Sequence, residues 1–335
     1  MENKRRKLLA VLFLLFCLLG IAALYGQARQ PAEGTGGHSS NRQKVTLIAK
    51  STESAFWKSV FAGASAAGTE YNMELLCQGA DNEEDYISQN QMIDAAVEDG
   101  ADAILFSAID YEENAAAIDR AAEAGVRIIV IDSDVNSDQV ECRIGTDNYR
   151  AGCLAGEAAL DSDASALNVG IVNFDATTEN GQSREKGFRD TILRDDRVTL
   201  VDSVNSNSTI SAAKEATLQM LEDHPEINVL TTFNEWTTLG VGYAIREAGA
   251  ASRIRLVAFD SNVVSVDMLE TGEVDALVVQ NPYAIGYLGV ETAYRLLNGQ
   301  KLPAPEIDTS TMLVTRENMY TEESQRLLFS FDEIK

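Results

Sequence analysis

The chain is poor in the residues on which most enzyme and metal chemistry depends. Its 335 residues include two histidines, His38 and His224, the second directly before Pro225. Histidine-based metal or acid–base chemistry has almost nothing to draw on. Of four cysteines, Cys17 falls in an apolar run, and Cys77, Cys142 and Cys153 are odd in number without C-x-x-C spacing. Neither a disulfide framework nor a zinc site is signalled, and no metal or other cofactor is expected. Basic groups are scarce as well: 27 Lys and Arg against 52 Asp and Glu give a formal charge of −25. The first forty residues hold five of the basic groups and two of the acidic ones, leaving 22 and 50 for the remainder. Such a body repels nucleic-acid phosphates and anionic lipid, so a nucleic-acid partner is set aside.

Motifs of catalysis are missing too. No P-loop and no G-x-S-x-G elbow occurs, and Gly240-Val241-Gly242 lacks the third glycine of a dinucleotide fingerprint and does not follow a strand directly. No histidine-assisted nucleophile can be named, so the chain is not expected to be an enzyme and no catalytic residue is assigned.

What is present begins with Lys4-Arg5-Arg6-Lys7 followed by an apolar run from Leu8 to Tyr25. The positive-inside rule places all that follows outside the cytoplasm. Eighteen residues exceed a usual signal-peptide core and reach the lower limit for a spanning helix, while Gly26-Gln27-Ala28 is a passable cleavage site. Residues 1–26 therefore read as a membrane anchor, with a cleaved signal segment, and a periplasmic or secreted product, as the alternative. Residues 27–43, rich in Gly, Ser, Gln and Pro, read as a flexible linker.

From Lys44 onward strand and helix patterns alternate. The spacing predicts strands at 45–49, 73–77, 103–106 and 127–131 with helices at 56–71, 85–98 and 114–124 between them. After Asp147 the series restarts: helices at 150–160, 182–194, 210–223, 239–248 and 263–270, and strands at 168–172, 199–204, 229–232, 254–258 and 276–279. A helix at 285–297 and a strand at 311–314 end the body. The fold class is α/β, with two Rossmann-like doubly wound parallel-sheet lobes.

Four apolar runs end in one polar side chain suited to a hydroxyl: IIVI-Asp132, LTTF-Asn234, LVAF-Asp260 and LVV-Gln280. Open α/β sheets bind ligands at the carboxyl ends of their strands. Two carboxylates and two amides suit a neutral polyol such as a sugar, although Asp and Asn after a strand also serve as turn and cap residues. Ser54, Phe56 and Trp57 open a helix at the cleft edge, where aromatic faces fit the C–H faces of a sugar ring or simply fill core. Trp236, two residues after Asn234, could line the same cleft. Arg184, taken to lie in the first turn of its helix, can reach a crevice or remain a surface charge.

The ordered set Ser54-Ala55-Phe56-Trp57, Ile131-Asp132, Gly145-Thr146-Asp147-Asn148, Arg184-x-x-Gly187-Phe188, Phe233-Asn234, Ala258-Phe259-Asp260 and Gln280-Asn281-Pro282 with Gly286 resembles the ribose-binding-protein family. Those receptors share a fold with the effector domain of LacI-type repressors, and the resemblance covers roughly residues 44 to 316. It implies a type I periplasmic-binding-protein architecture with a three-segment hinge near Asp147, Gln280 and Thr309. One lobe would then comprise 44–146 plus 281–309, the other 147–280 plus 310–316, with 317–335 as a tail expected to dock on a lobe. It also implies ligand contacts from Ser54, Phe56, Trp57, Asp132, Ser133, Arg184, Asn234, Asp260 and Gln280.

Two departures stand out. Asp132-Ser133-Asp134 replaces the family's Asp-Arg, so the cleft is expected to lose a cation, with Asp134 a candidate extra carboxylate. Ser208 stands near where the family often has an aromatic. Ribose is thereby in doubt, and a different pentose, a hexose or an aminated polyol stays open. The expected partner is the permease of an ABC transporter, with a sensor histidine kinase as the alternative. A LacI-type repressor would need a DNA-binding helix-turn-helix where the apolar segment stands.

Overall fold

The structure, a computed structural model, describes residues 42–329. The segment 1–26, nearly all of the linker and Phe331 of the tail lie outside the described residues. Among the described residues no helix is long and apolar enough to cross a membrane.

Two six-stranded sheets organise the chain. The first runs β2 (Glu74–Gly79), β1 (Lys44–Ala49), β3 (Ala103–Phe106), β4 (Arg127–Ile131), β5 (Cys142–Gly145) and β11 (Glu306–Asp308), all parallel. The second runs β7 (Val198–Asn205), β6 (Leu167–Asn173), β8 (Val229–Thr231), β9 (Arg255–Phe259), β10 (Ala276–Val279) and β12 (Met312–Thr315), with β12 antiparallel at the edge. Each sheet is covered on both faces, which is why inner strands such as β3, β4, β9 and β10 are nearly continuous apolar runs. In β1, Leu47 enters one core and Ile48 the other; in β9, Ala258 and Phe259 divide in the same way.

Helices α1 (Ala55–Glu70), α2 (Tyr86–Glu98), α3 (Ala115–Glu123) and α9 (Pro282–Leu297) clothe the first sheet. Helices α4 (Asn148–Leu160), α5 (Glu179–Ile192), α6 (Ile210–Asp223), α7 (Glu235–Glu247) and α8 (Val263–Thr271) clothe the second. The chain therefore passes between the lobes three times: between β5 and α4, between β10 and α9, and between β11 and β12. The crossovers are tied together. Thr309 donates N–H and Oγ1 to Gly145 O at 2.7 and 3.0 Å, Thr146 Oγ1 donates to Gln280 Oε1 at 2.7 Å, and Asn281 Nδ2 donates to Ser310 Oγ at 3.3 Å.

Both lobes use glycine to bring two helices into backbone contact. A Cβ at Gly286 of α9 would overlap the carbonyl oxygen of Val60 on α1, and one at Gly187 of α5 would overlap that of Tyr149 on α4. Because the obstruction is backbone, no rotamer change relieves it. Gly286→Ala should therefore destabilise the protein by about 3 kcal/mol, the upper end of typical overpacking costs. Urea unfolding checks this, and a midpoint within error of wild type would show that the crossing can open freely.

Several boundaries differ from those read in the sequence. Helix α5 begins at Glu179, so Arg184 stands in its second turn, and α7 begins at Glu235, directly after its cap Asn234. Strands β5 and β11 were not anticipated. They are four and three residues long, with sequences CRIG and EID, and show no apolar run. The tail adds a helix, α10 (Glu322–Leu328), whose Leu328 is fully buried in the second lobe's core with Leu327 and Phe329 against it.

Candidate functional site

Where the carboxyl ends of the two sheets meet, fourteen residues line one space: Lys50, Ser54, Phe56, Trp57, Glu83, Asp132 from the first lobe, and Phe174, Asn180, Arg184, Asn234, Glu235, Trp236, Asp260 and Gln280 at the ends of second-lobe elements. The cavity they enclose is small, about 30 Å3, because the side chains of the two lobes stand close to one another across it. Eight of the nine residues expected from the sequence are among them, and Trp236 joins them. Ser133 is not: it is fully buried behind Asp132, with its N–H on Ile131 O at 2.8 Å and its hydroxyl without a partner.

Asp132 and Asp260 occupy matching places, immediately after β4 and β9. Each donates its N–H to the next strand, to Ile144 O and to Val278 O, both at 3.0 Å, and each then turns with positive φ, 60° and 68°. Left-handed backbone is uncommon outside glycine, with Asp and Asn the usual exceptions, and it clusters at functional sites. One carboxylate from each lobe is thereby aimed into the cleft.

Cations and amides surround them. Asp132 has Lys50 Nζ at 3.7 Å and Arg184 Nη2 at 3.9 Å, and accepts from Ser107 Oγ at 3.1 Å and Asn180 Nδ2 at 3.3 Å. The cation expected to be lost after Asp132 is thus supplied by Lys50, the residue following β1. Asp134 adds no carboxylate here, because it pairs with Arg143 at 2.7 Å outside the cleft. The aromatics of the second lobe come not from the neighbourhood of Ser208 but from Trp236 and from Phe174, after β6, over whose ring Lys50 Nζ sits 5.3 Å from the centroid.

Arg184 is 1% exposed, so it is no surface charge. Its Nε donates to Asn148 Oδ1 at 2.9 Å, Nη1 to Phe233 O at 2.7 Å and Nη2 to Gln280 Oε1 at 2.8 Å, and its guanidinium lies 5.1 Å over the Phe259 ring. Gln280 Oε1 also accepts from Thr146, so its Nε2 faces Asp260 Oδ1, at 2.6 Å. Burial pushes the Asp260 carboxyl up to about 7, against the pull of Arg184 and the Gln280 amide. Burial likewise raises Glu235, against its bonds to two backbone N–H groups and Asn262.

Phe56 and Trp57 form the aromatic wall, edge to face with centroids 5.1 Å apart. Ser54, capping α1 through Trp57 N–H at 3.2 Å, shapes the same edge. Lys50, Phe174, Glu83, Asn180 and Glu235 were missed from the sequence. The first two follow strand ends and were detectable by the rule that found Asp132, whereas Glu83, Asn180 and Glu235 sit in a loop and in first helical turns that carry no such signal.

Comparison with known proteins gives a consistent picture. Residues 45–301 match the family described as periplasmic binding protein domain. The chain is similar to the D-ribose/D-allose-binding protein of Pseudomonas aeruginosa, 26% identical over 326 residues, which span 94% of this chain and 98% of that protein. It is also similar to the ribose import binding protein of Bacillus subtilis, 24% identical over 267 residues, 79% of this chain and 86% of the relative. Among solved structures, a carbohydrate transporter solute binding protein from Agrobacterium radiobacter in complex with D-arabinose aligns with a TM-score of 0.83 at 27% identity, covering 87% of this chain and 100% of that one. An ABC transporter solute binding protein from Agrobacterium vitis with bound D-fucose aligns with a TM-score of 0.82 at 29% identity, covering 85% and 99%.

Proposed function

The chain belongs to the periplasmic-binding-protein family, and from that premise we propose that it captures a monosaccharide or closely related neutral polyol between its lobes and delivers it to an ABC transporter. The observation that carries this reading is the charge-balanced ring of strand-end side chains. The carboxylates of Asp132 and Asp260 stand against two cations, Lys50 and Arg184, with Arg184 acting on both. A free carboxylate or ammonium on the ligand would meet no unpaired opposite charge, whereas hydroxyls find acceptors on both aspartates and donors on Asn234 and Lys50. Aromatic faces at Phe56, Trp57 and Phe174 suit the C–H faces of a sugar ring.

Names of the relatives favour transport over sensing: the Bacillus subtilis protein is an import binding protein and the two structures are transporter solute-binding proteins. An extracytoplasmic position follows from the same reading, with the permease as partner. Ligand gripped by both lobes favours the closed arrangement by its differential affinity, and the three crossovers supply the hinge.

A thermal-shift screen against D-ribose, D-allose, D-arabinose, D-fucose and other pentoses, hexoses, amino sugars and polyols tests the reading. A sugar at 100 times its dissociation constant should add about 2.7 kcal/mol of stability. No shift with any sugar would overturn it.

A further inference from the structure

Two carboxylates lining the cleft are taken up by the protein itself, and each reaches from one lobe to the other. Glu235, the first residue of α7 and 6% exposed, accepts through Oε1 from Ala55 N–H at 3.2 Å and Asn262 Nδ2 at 3.0 Å, and through Oε2 from Phe56 N–H at 3.1 Å. Ala55 and Phe56 are the first two residues of α1 in the opposite lobe. The opening N–H groups of a helix have no partner within it, and its positive end favours a carboxylate. With Ser54 Oγ taking the next N–H, that of Trp57, the start of α1 is completed by a side chain from across the cleft.

Glu83, in the loop after β2, makes the reciprocal link. Its Oε1 accepts from the Trp57 indole Nε1–H at 3.2 Å, and its Oε2 accepts from the Ser208 hydroxyl of the second lobe at 2.9 Å. Ser208 Oγ in turn accepts from Asn234 Nδ2 at 2.7 Å. Each carboxylate therefore bonds an aromatic residue of the wall, one through backbone and one through the indole, and spans the lobes while doing so.

We propose that Glu235 and Glu83 are positioning residues that orient Phe56 and Trp57 as the lobes meet, so that closure and assembly of the aromatic wall are one event. The proposal rests on the sugar-binding reading above and names how the same cleft is organised. Both oxygens of each carboxylate are already engaged, so these residues act on affinity through the population of the closed arrangement. Apparent affinity scales with that population.

Residue-resolved hydrogen exchange of the full-length protein, read first without sugar, tests this. The Ala55 and Phe56 amides should be protected in wild type and lose protection by about fivefold or more in Glu235→Ala, with β1 amides unchanged. Titration with D-ribose, D-allose, D-arabinose and D-fucose should show affinity falling by about the same factor. Glu235→Gln, keeping one acceptor, should fall between, and Ser208→Ala should weaken affinity in the same direction. Amides at 55 and 56 that exchange as freely as an uncapped helix end would overturn the proposal. So would lost affinity with unchanged protection, which would make Glu235 a direct sugar contact. If none of the four sugars binds, the exchange comparison still decides this proposal, and it is the sugar reading that falls.

Discussion

Arg184→Met should destabilise the protein by about 3–5 kcal/mol and remove sugar binding with it, because it breaks a buried charge network rather than a surface contact. Methionine approximates the length of the side chain and keeps apolar contact with Phe259. It cannot serve Asn148 Oδ1, Phe233 O or Gln280 Oε1, and each is left buried without that donor. Asp132 and Asp260 also lose the cation that lies between them. Since Asn148 opens α4 and Gln280 directly follows β10, the guanidinium joins two of the three crossovers, so the damage spreads to the connection between the lobes. Arg184→Lys should recover little, as one ammonium cannot make three bonds in a planar fork. Urea unfolding and calorimetric titration check both effects. A variant as stable as wild type would show that this network is dispensable to the fold.

Asp260→Asn isolates charge from shape. Asparagine tolerates the left-handed backbone that Asp260 adopts and keeps one acceptor for Gln280 Nε2. If two sugar hydroxyls donate to the carboxylate, at about 1.5–3 kcal/mol for each bond to a charged group, affinity should fall by roughly 10²- to 10⁴-fold. A pH signature accompanies the loss. Burial raises this carboxyl from 3.8 to about 7, so the folded protein carries a proton there that the unfolded chain has released. Its contribution to stability is therefore fully present below about 3.8, declines as pH rises through the window, and is gone above about 7. Hydroxyl donors favour the charged form, so sugar binding should release the proton and tighten across the same window, by at most about tenfold per pH unit. The Asn variant should show neither slope. An affinity in wild type that is flat from pH 4 to about 7 would sink the assignment of Asp260 as the sugar's acceptor.

The reach of the sequence can be judged residue by residue. Runs such as LVAF before Asp260 announce a strand buried on both faces, because burial on both sides removes the polar alternation. The parallel topology then brings the strand ends together, so Asp132, Asn234, Asp260 and Gln280 could be named without coordinates. The same rule overlooked Lys50 and Phe174 only because a lysine and a phenylalanine after a strand look like an exposed charge and a core residue. Strands β5 and β11 escaped for another reason: short strands stabilised by neighbours carry almost no periodic signal of their own.

By itself, then, the sequence determined two α/β lobes and a hydrogen-bonding side chain after four of the strands, since these follow from local periodicity and from chemistry that every buried parallel sheet obeys. Only the tertiary structure decided what those side chains face. Arg184 proves to be a buried tie between crossovers, Asp134 turns away to Arg143, and Glu235 caps a helix of the other lobe. Each of these depends on which side chain arrives from between 9 and 180 residues away, and hydrogen-bond partners, unlike periodicity, are chosen by three-dimensional proximity.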